Sequence, residues 1–194
     1  LSGDEVAVRD AVDDEDRLVR PSAAHVDLVV LRVDARLLLE HLAQWRDWNA
    51  DPAHPFHGRV DMEHVALIGH SRGGEAVGIA AAFNELARYP DDATLEFDYG
   101  FNLRGVIAIA PVDGQYQPRE HGTPVNDVNY FTIHGSMDGD VQSFEGVAQY
   151  SRVHFRDPAK PRFRASLYVV GANHGQFNTT WENLDTDPLS AWAL

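Results

Sequence analysis

The chain has 194 residues, a net charge of −14 and no cysteine. The length suits one domain spanning residues 1–194 with a sizeable core, and the absence of cysteine excludes disulfides, thiolate metal sites and cysteine nucleophiles. An acidic surface repels phosphate backbones, so no nucleic-acid partner is expected, and no apolar run is long enough to span a membrane.

The first half of the chain predicts an irregular segment, a helix and a strand–helix pair. Residues 1–24 are acidic and poorly patterned, which indicates a solvated loop. Residues 65–69 form a short apolar run typical of a buried strand, and the stretch 73–89, rich in small residues, predicts a helix ended by Pro90. Over 25–48, apolar residues step by three and four along one helical face. These are Leu31, Ala35, Leu38, Leu42 and Trp45.

The second half predicts three more strands, over 105–110, 129–134 and 165–170. A weaker helix is predicted over 143–153, between the last two strands. Strands separated by helical segments are typical of parallel βαβ units. We therefore predict an α/β fold with a mostly parallel sheet flanked by helices.

A Gly-x-Ser-x-Gly segment carries the strongest chemical signal in the chain. It runs from Gly69 to Gly73, between the strand predicted over 65–69 and the helix that follows. On such a sharp turn the Ser71 hydroxyl stands above the sheet, and the glycines on either side remove Cβ clashes. The helix N-terminus presents free N–H groups at the same place. Ser71 is therefore the candidate nucleophile; the alternative is a glycine-rich turn with a structural role.

A serine hydroxyl needs a base to act as a nucleophile, and the chain offers ten histidines. In open α/β sheets, catalytic groups follow the carboxyl ends of strands. This rule favours His174, which comes soon after the strand predicted over 165–170. His70 neighbours Ser71, so we expect its side chain to point elsewhere. Histidines in helical or loop segments without a preceding strand are typical of surface residues; these are His25, His41, His54, His57 and His121.

The base in turn needs a carboxylate to orient it. Asp138 follows the strand predicted over 129–134, and the order Ser71, Asp138, His174 matches the nucleophile–acid–base order of one class of hydrolases. Asp140 is a competitor for the same role, and either aspartate can instead cap the next helix. A calcium loop needs more acidic positions than this pair supplies, so no metal is expected. The chemistry of a Ser–His–Asp triad needs no organic cofactor either.

The chain resembles the α/β-hydrolases, and within them the chlorophyllase-like and polyester-hydrolase-like esterases; residues 69–74 resemble the chlorophyllase elbow. Five segments also resemble features shared by a group of large, mostly actinobacterial proteins. The segments are 57–61 (HGRVD), 69–77 (GHSRGGEAV), 110–114 (APVDG), 134–141 (HGSMDGDV) and 171–179 (GANHGQFNT). The resemblance implies an α/β-hydrolase fold and a serine hydrolase with Ser71, Asp138 and His174 as its catalytic triad. It implies no substrate, because fold alone does not settle function.

The resemblance also reveals a departure from the full fold, which has eight strands and places the nucleophile after the fifth. Only about 64 residues precede the corresponding strand in this chain, so the N-terminal strands are expected to be absent. The missing part includes a loop that supplies one oxyanion N–H group, while Arg72 supplies the other. We expect the chain to be a fragment of a longer protein, or to be completed by residues 1–24 and a partner segment. The unpaired edge of the strand at 65–69 then invites association.

The expected reaction is hydrolysis of a small-molecule or polymeric ester through an acyl-enzyme on Ser71. The same triad can serve an amidase or an acyltransferase, and the shortened N-terminal half favours a different class, a non-catalytic binding module or an inactive fragment. Relatives are often exported, which is compatible with secretion. A set of aromatic residues either lines an apolar groove at the site or packs against the neighbouring helix. These are Tyr89, Phe97, Tyr99, Phe101, Tyr116 and Trp181.

Overall fold

A computed structural model of the protein describes most of the chain beyond its N-terminal segment. The described residues are 23–117, 121–179, 181 and 184–185, and the side chains of 23–34 and 143 are excluded. The acidic segment predicted over 1–24 lies outside them, apart from its last two residues, which begin a helix. Within the described part, no helix combines the length and the apolar character needed to cross a bilayer.

The first half contains a long helix and a strand–helix pair, as predicted. Helix α1 spans Ala23–Ala50, two residues longer at each end than expected, and its inward face includes the fully buried Ala35 and Leu39. Strand β1 spans Val65–His70 and helix α2 spans Arg72–Phe83. Helix α2 lies between α1 and the sheet. Its small residues permit close approach on both sides, which explains why it is buried along most of its length.

Helix α2 ends six residues earlier than the helix predicted over 73–89. The next residue, Asn84, holds both backbone groups of Phe101: its Nδ2 donates to the carbonyl and its Oδ1 accepts from the N–H, each at 2.8 Å. The chain then forms a short antiparallel hairpin of β2 (Arg88–Tyr89) and β3 (Asp92–Glu96). The predicted end was wrong because these competing contacts come from residues distant in the sequence.

The second half contains the three predicted strands, each displaced by no more than two residues. Strands β4, β6 and β8 span Leu103–Ile109, Asn129–Gly135 and Arg164–Val169. The weaker helix is shorter than predicted, with α3 spanning Gly146–Ser151 after a 3-10 turn at Gln142–Phe144. Two short strands without a counterpart in the prediction, β5 (Val125–Asn126) and β7 (Val153–His154), pair in parallel beside it.

Strands β1, β4, β6 and β8 form one parallel sheet in that order. The prediction of a mixed α/β architecture with a parallel sheet flanked by helices is confirmed at this level. The buried face carries Leu67, Val106, Ala108 and Tyr130, and α2 and α3 pack on the strands that bear them. Because the strands are parallel, the loops that follow their carboxyl ends meet along one edge of the sheet.

The sheet ends at β1, which pairs only with β4 within the described residues. Ile68 on this strand is 62 % exposed, and Leu167 on β8, at the opposite edge, is 47 % exposed. An unpaired strand edge that carries exposed apolar side chains is a template for pairing with another chain. Association with another chain through the free edge of β1 is still a prediction.

Candidate active site

Ser71 lies at the turn between β1 and α2 in a backbone conformation that residues with side chains rarely adopt. Its φ is 59° and its ψ is −124°, and such a conformation costs on the order of 1–3 kcal/mol. The Ser71 N–H donates to the Ile109 carbonyl and the Gly74 N–H donates to the Ser71 carbonyl, each at 2.9 Å. These bonds hold the strained turn in place, which is how a strand-to-helix turn presents a serine above a sheet.

Two glycines, Gly69 and Gly74, allow this turn, whereas the prediction named Gly69 and Gly73. A Cβ on Gly69 would lie 2.0 Å from the Gly73 carbonyl oxygen, and a Cβ on Gly74 would lie 2.7 Å from the Pro111 Cβ. A Cβ on Gly73 would meet no described atom within 4 Å. The expectation that glycines on both sides remove clashes is right for Gly69 and wrong for Gly73, because the close approach on the helix side falls one residue later.

His174 and Asp138 form a buried pair in the loops that follow β8 and β6. Nδ1 of His174 lies 2.9 Å from Oδ2 of Asp138, and the two side chains are 0 % and 1 % exposed. A carboxylate can only accept, so Nδ1 carries the proton and the lone pair of the neutral imidazole lies on Nε2. The histidine is therefore held in the tautomer that a general base requires.

Asp138 is itself held by its second oxygen and by a neighbouring histidine. Its Oδ1 accepts the Val141 N–H at 2.7 Å, so the capping role considered for this aspartate is present as well. His134, 1 % exposed, places Nε2 at 3.1 Å from the Val141 carbonyl oxygen and 3.7 Å from Oδ2 of Asp138. Sequence reasoning missed His134. Its position at the end of the same strand, four residues before Asp138, is the signal that points to it.

Asp140 lies on the other side of the imidazole. Its Oδ2 is 3.4 Å from Nε2 of His174, and its side chain is 46 % exposed. Within the described residues Nε2 has no hydrogen-bond partner, so no bond joins it to Ser71. The two aspartates thus occupy different positions: Asp138 orients Nδ1, whereas Asp140 lies beside Nε2, which is buried.

His70 packs against His174, so the expectation that its side chain points away from the site is wrong. Nε2 of His70 donates to the His174 carbonyl at 3.2 Å, and the two ring centroids lie 4.4 Å apart. Trp181 contacts both rings, at centroid distances of 6.0 Å to His70 and 5.8 Å to His174. Burial lowers the pKa of His70, which favours a neutral ring beside the paired histidine. Spacing along the chain does not show that the loop carrying His174 lies against the last residue of β1.

A cleft of about 620 Å³ opens beside the buried His174, above Ser71 and His70. Its walls include Ser71, Arg72, Asp140 and Trp181. Arg72 is the first residue of α2, so its N–H has no acceptor within the helix and is available to a ligand. The positive end of the helix dipole adds to the attraction for negative charge at this point.

The aromatic residues that were expected either to line the site or to pack in the core fall into two groups. Trp181 lines the cleft. The others pack in the core around Phe83, near the end of α2, and these are Tyr89, Phe97, Tyr99, Phe101 and Tyr116. The apolar groove that they were considered to form at the mouth of the site is therefore not built from them.

Glu75 lies beneath the cleft and was missed by sequence reasoning, although a charged residue among the small residues of a buried helix is a signal in itself. Its side chain is 2 % exposed, and its Oε1 accepts the N–H groups of Gly114 at 2.9 Å and Tyr116 at 3.2 Å. These bonds anchor the loop after β4, whose residues Val112 and Gln115 line the cleft. Burial raises the pKa of Glu75 from 4.5 to about 7.

Glu75→Gln is expected to change how stability depends on pH. Between about pH 4.5 and 7 the folded protein retains the Glu75 proton while the unfolded chain loses it, so the free energy of unfolding falls as pH rises through this window. At pH 8 the wild type carries the whole penalty, at most about 3 kcal/mol for this change in pKa, and the variant does not. Urea unfolding of both proteins at pH 4 and pH 8 should show the variant gaining stability relative to wild type at the higher pH. An equal difference at both pH values would contradict the ionisation of a buried carboxyl.

The described residues contain no group of three or more His, Asp or Glu side chains arranged to hold a metal ion. Comparison with known proteins gives no family for the chain, since neither the protein-family models nor the curated proteins match it. Function is therefore argued from the chemistry of the site.

Proposed function

We propose that the protein is a serine hydrolase of the α/β-hydrolase class that cleaves carboxylic esters, in the manner of the chlorophyllase-like and polyester-hydrolase-like enzymes. The observation that carries the proposal is the buried pair of His174 and Asp138 at the sheet edge where Ser71 occupies a strained turn. A serine with a purely structural role needs neither this backbone strain nor a histidine held in the base tautomer. The parallel sheet agrees with this class at the level of the fold.

The proposed reaction begins with attack of Ser71 Oγ on the ester carbonyl carbon. His174 Nε2 takes the hydroxyl proton, and Asp138 stabilises the imidazolium that forms. The carbon–oxygen bond to the alcohol then breaks, the alcohol leaves with the proton from Nε2, and the acyl group remains on Ser71. A water activated by the same nitrogen hydrolyses this acyl-enzyme and restores the serine.

The negative oxygen of the tetrahedral intermediate would accept a hydrogen bond from the Arg72 N–H at the start of α2. The Nε2 atom of His174 is without a partner within the described residues, so it is available to bond with Ser71 Oγ once a substrate fills the cleft. Catalytic hydrogen bonds often tighten only in the substrate complex. Asp140, which now borders Nε2, must then give way to the serine hydroxyl.

A second candidate function is a non-catalytic binding module of the same fold. Two observations favour it: no hydrogen bond joins Ser71 to His174 in the described part of the chain, and β1 has one unpaired edge there. A sheet that lacks neighbours on this side would also lack the loop that supplies a second oxyanion donor. Losing one such donor typically lowers kcat by about 100- to 1000-fold, which separates a weak enzyme from a module without activity.

Labelling with a fluorophosphonate tests the proposal, because the reagent phosphonylates a serine only when a base activates its hydroxyl. We expect the wild-type chain to be labelled at Ser71, located by mass spectrometry, and Ser71→Ala to remain unlabelled. Ser166→Ala is the matched control, since Ser166 is exposed on β8 away from the cleft, and this variant should be labelled like the wild type. Failure to label Ser71 in the folded chain would favour the binding module.

The class of substrate is tested with two compounds that share one acyl group, p-nitrophenyl butyrate and the p-nitroanilide of butyric acid. The proposal expects kcat/KM for the ester to exceed that for the amide by several orders of magnitude. Comparable values would instead indicate an amidase, which uses the same triad.

A further inference from the structure

A second cleft, of about 550 Å³, lies between α1 and α2 and takes no part in the chemistry proposed above. We call it the α1–α2 groove and define it by Leu37, Leu38, Glu40, His41, Gly73 and Ala76. The apolar residues of the groove are Leu37, which is 51 % exposed, Leu38, which is partly buried, and Ala76, which is buried. Glu40 and His41 are exposed and form a polar rim. An apolar surface with a polar rim is typical of a site for an apolar ligand group.

The α1–α2 groove and the cleft over Ser71 meet at Gly73, which lines both. A Cβ on Gly73 would meet no described atom within 4 Å, so the space at this residue is open. Gly73 lies two residues after Ser71, in the first turn of α2. Gly73 therefore borders both clefts, and it has no side chain to separate them.

The positions of the catalytic groups decide which part of an ester the α1–α2 groove would hold. The alcohol must lie within reach of His174, which protonates it, and therefore on the side of the cleft bordered by Asp140 and Trp181. None of these three residues lines the α1–α2 groove. The remaining substituent of the carbonyl carbon is the acyl chain, and the apolar space nearest to Ser71 on the Gly73 side of the cleft is the α1–α2 groove.

We propose that the α1–α2 groove binds the apolar acyl chain of the substrate, so that the enzyme prefers esters of unbranched, medium-length fatty acids. This inference rests on the proposed function, because the chain enters the groove from Ser71. Each methylene group that leaves water contributes favourably to binding. A longer acyl chain therefore raises kcat/KM until the groove is filled, whereas an enzyme without this site would show a flat or falling profile.

The test is the ratio of kcat/KM for p-nitrophenyl octanoate to that for p-nitrophenyl acetate. Six additional methylene groups, half-buried in the groove, are expected to give a ratio of roughly 50 in the wild type. Leu37→Asp places a charge on the apolar surface and should lower this ratio at least about fivefold. Because Leu37 is half exposed, the variant is expected to fold, and its folding is checked by thermal unfolding beside the wild type.

The matched control is Leu86→Asp, which introduces the same change at a leucine that is 40 % exposed and lies outside both clefts. Its ratio should equal that of the wild type. Gly73→Leu gives an independent steric test, since a side chain there would separate the two clefts and also lower the ratio. Hydrolysis of the acetate with no preference for the octanoate, or equal ratios for Leu37→Asp and Leu86→Asp, would overturn this inference alone. No hydrolysis of any ester would overturn the proposed function, and this inference with it.

Discussion

Asp138→Asn is expected to lower kcat for ester hydrolysis by about 10⁴-fold, whereas Asp140→Asn is expected to change it by less than about tenfold. The asparagine at 138 keeps the shape of the buried side chain but presents an amide where the carboxylate accepts the Nδ1 proton of His174 at 2.9 Å. The imidazole then loses the partner that holds its proton on Nδ1. Nε2 becomes the protonated nitrogen and can no longer take the Ser71 proton.

The expectation for Asp140 follows from its exposure and position. Its side chain is 46 % exposed and approaches Nε2 of His174 at 3.4 Å, so it borders the base without fixing its tautomer. A charge interaction at such an exposed side chain is screened by water and contributes little. The asparagine has the same shape, and Nε2 has no hydrogen bond to Asp140 to lose within the described residues, so kcat should stay within about tenfold of the wild-type value.

Measuring kcat for wild type, Asp138→Asn, Asp140→Asn and His174→Ala on p-nitrophenyl butyrate distinguishes the two aspartates. His174→Ala sets the floor, since it removes the base outright, and Asp138→Asn should lie near it. If Asp140→Asn fell to this floor while Asp138→Asn retained activity, the roles of the two aspartates would be reversed. Asp138 also accepts the Val141 N–H, so its replacement could disturb the fold. Circular dichroism on each variant separates a loss of catalysis from a loss of structure.

The strands of the sheet could be predicted from the sequence because each is a short apolar run bounded by turn residues. All four central strands lie within two residues of their predicted limits. The end of α2 and the hairpin of β2 and β3 could not, because they depend on contacts such as the two bonds between Asn84 and Phe101. Local patterns carry no information about a partner seventeen residues away.

The candidate site also has a part that could be predicted from the sequence and a part that depends on distant contacts. The positions of Ser71, Asp138 and His174 after strands could be predicted, and parallel strands bring their carboxyl ends to one edge of the sheet; their catalytic roles stay a prediction. The sequence positions of His134 and Glu75 single them out, but their contacts could not be predicted, because these depend on the folded chain: His134 lies beside Asp138, and Glu75 binds the backbone of the loop after β4. The predicted orientation of His70 was wrong for a related reason, since the side chain bonds to the loop after β8, whose position the sequence does not show.

Gly69→Ala is expected to destabilise the protein by about 3 kcal/mol or more, at or beyond the usual upper limit for overpacking. The new Cβ would lie 2.0 Å from the carbonyl oxygen of Gly73 and 2.9 Å from the nitrogen of Gly74. Both are backbone atoms of the first turn of α2, so no side-chain rotation relieves the clash and the strand-to-helix turn itself must open. For a chain of this length, the midpoint of thermal unfolding should fall by roughly 6–12 °C.

Gly73→Ala is the matched comparison, because it makes the same chemical change in the same turn. Its Cβ would meet no described atom within 4 Å, and alanine favours a helix over glycine by up to about 1 kcal/mol. The variant should therefore be as stable as the wild type or slightly more stable. The pair also links stability to activity: opening the turn at Gly69 displaces Ser71 from its strained position, so the Gly69 variant should lose fluorophosphonate labelling below its unfolding midpoint while the Gly73 variant retains it. Equal stability and equal labelling of the two variants would mean that close packing at Gly69 does not hold the serine in place.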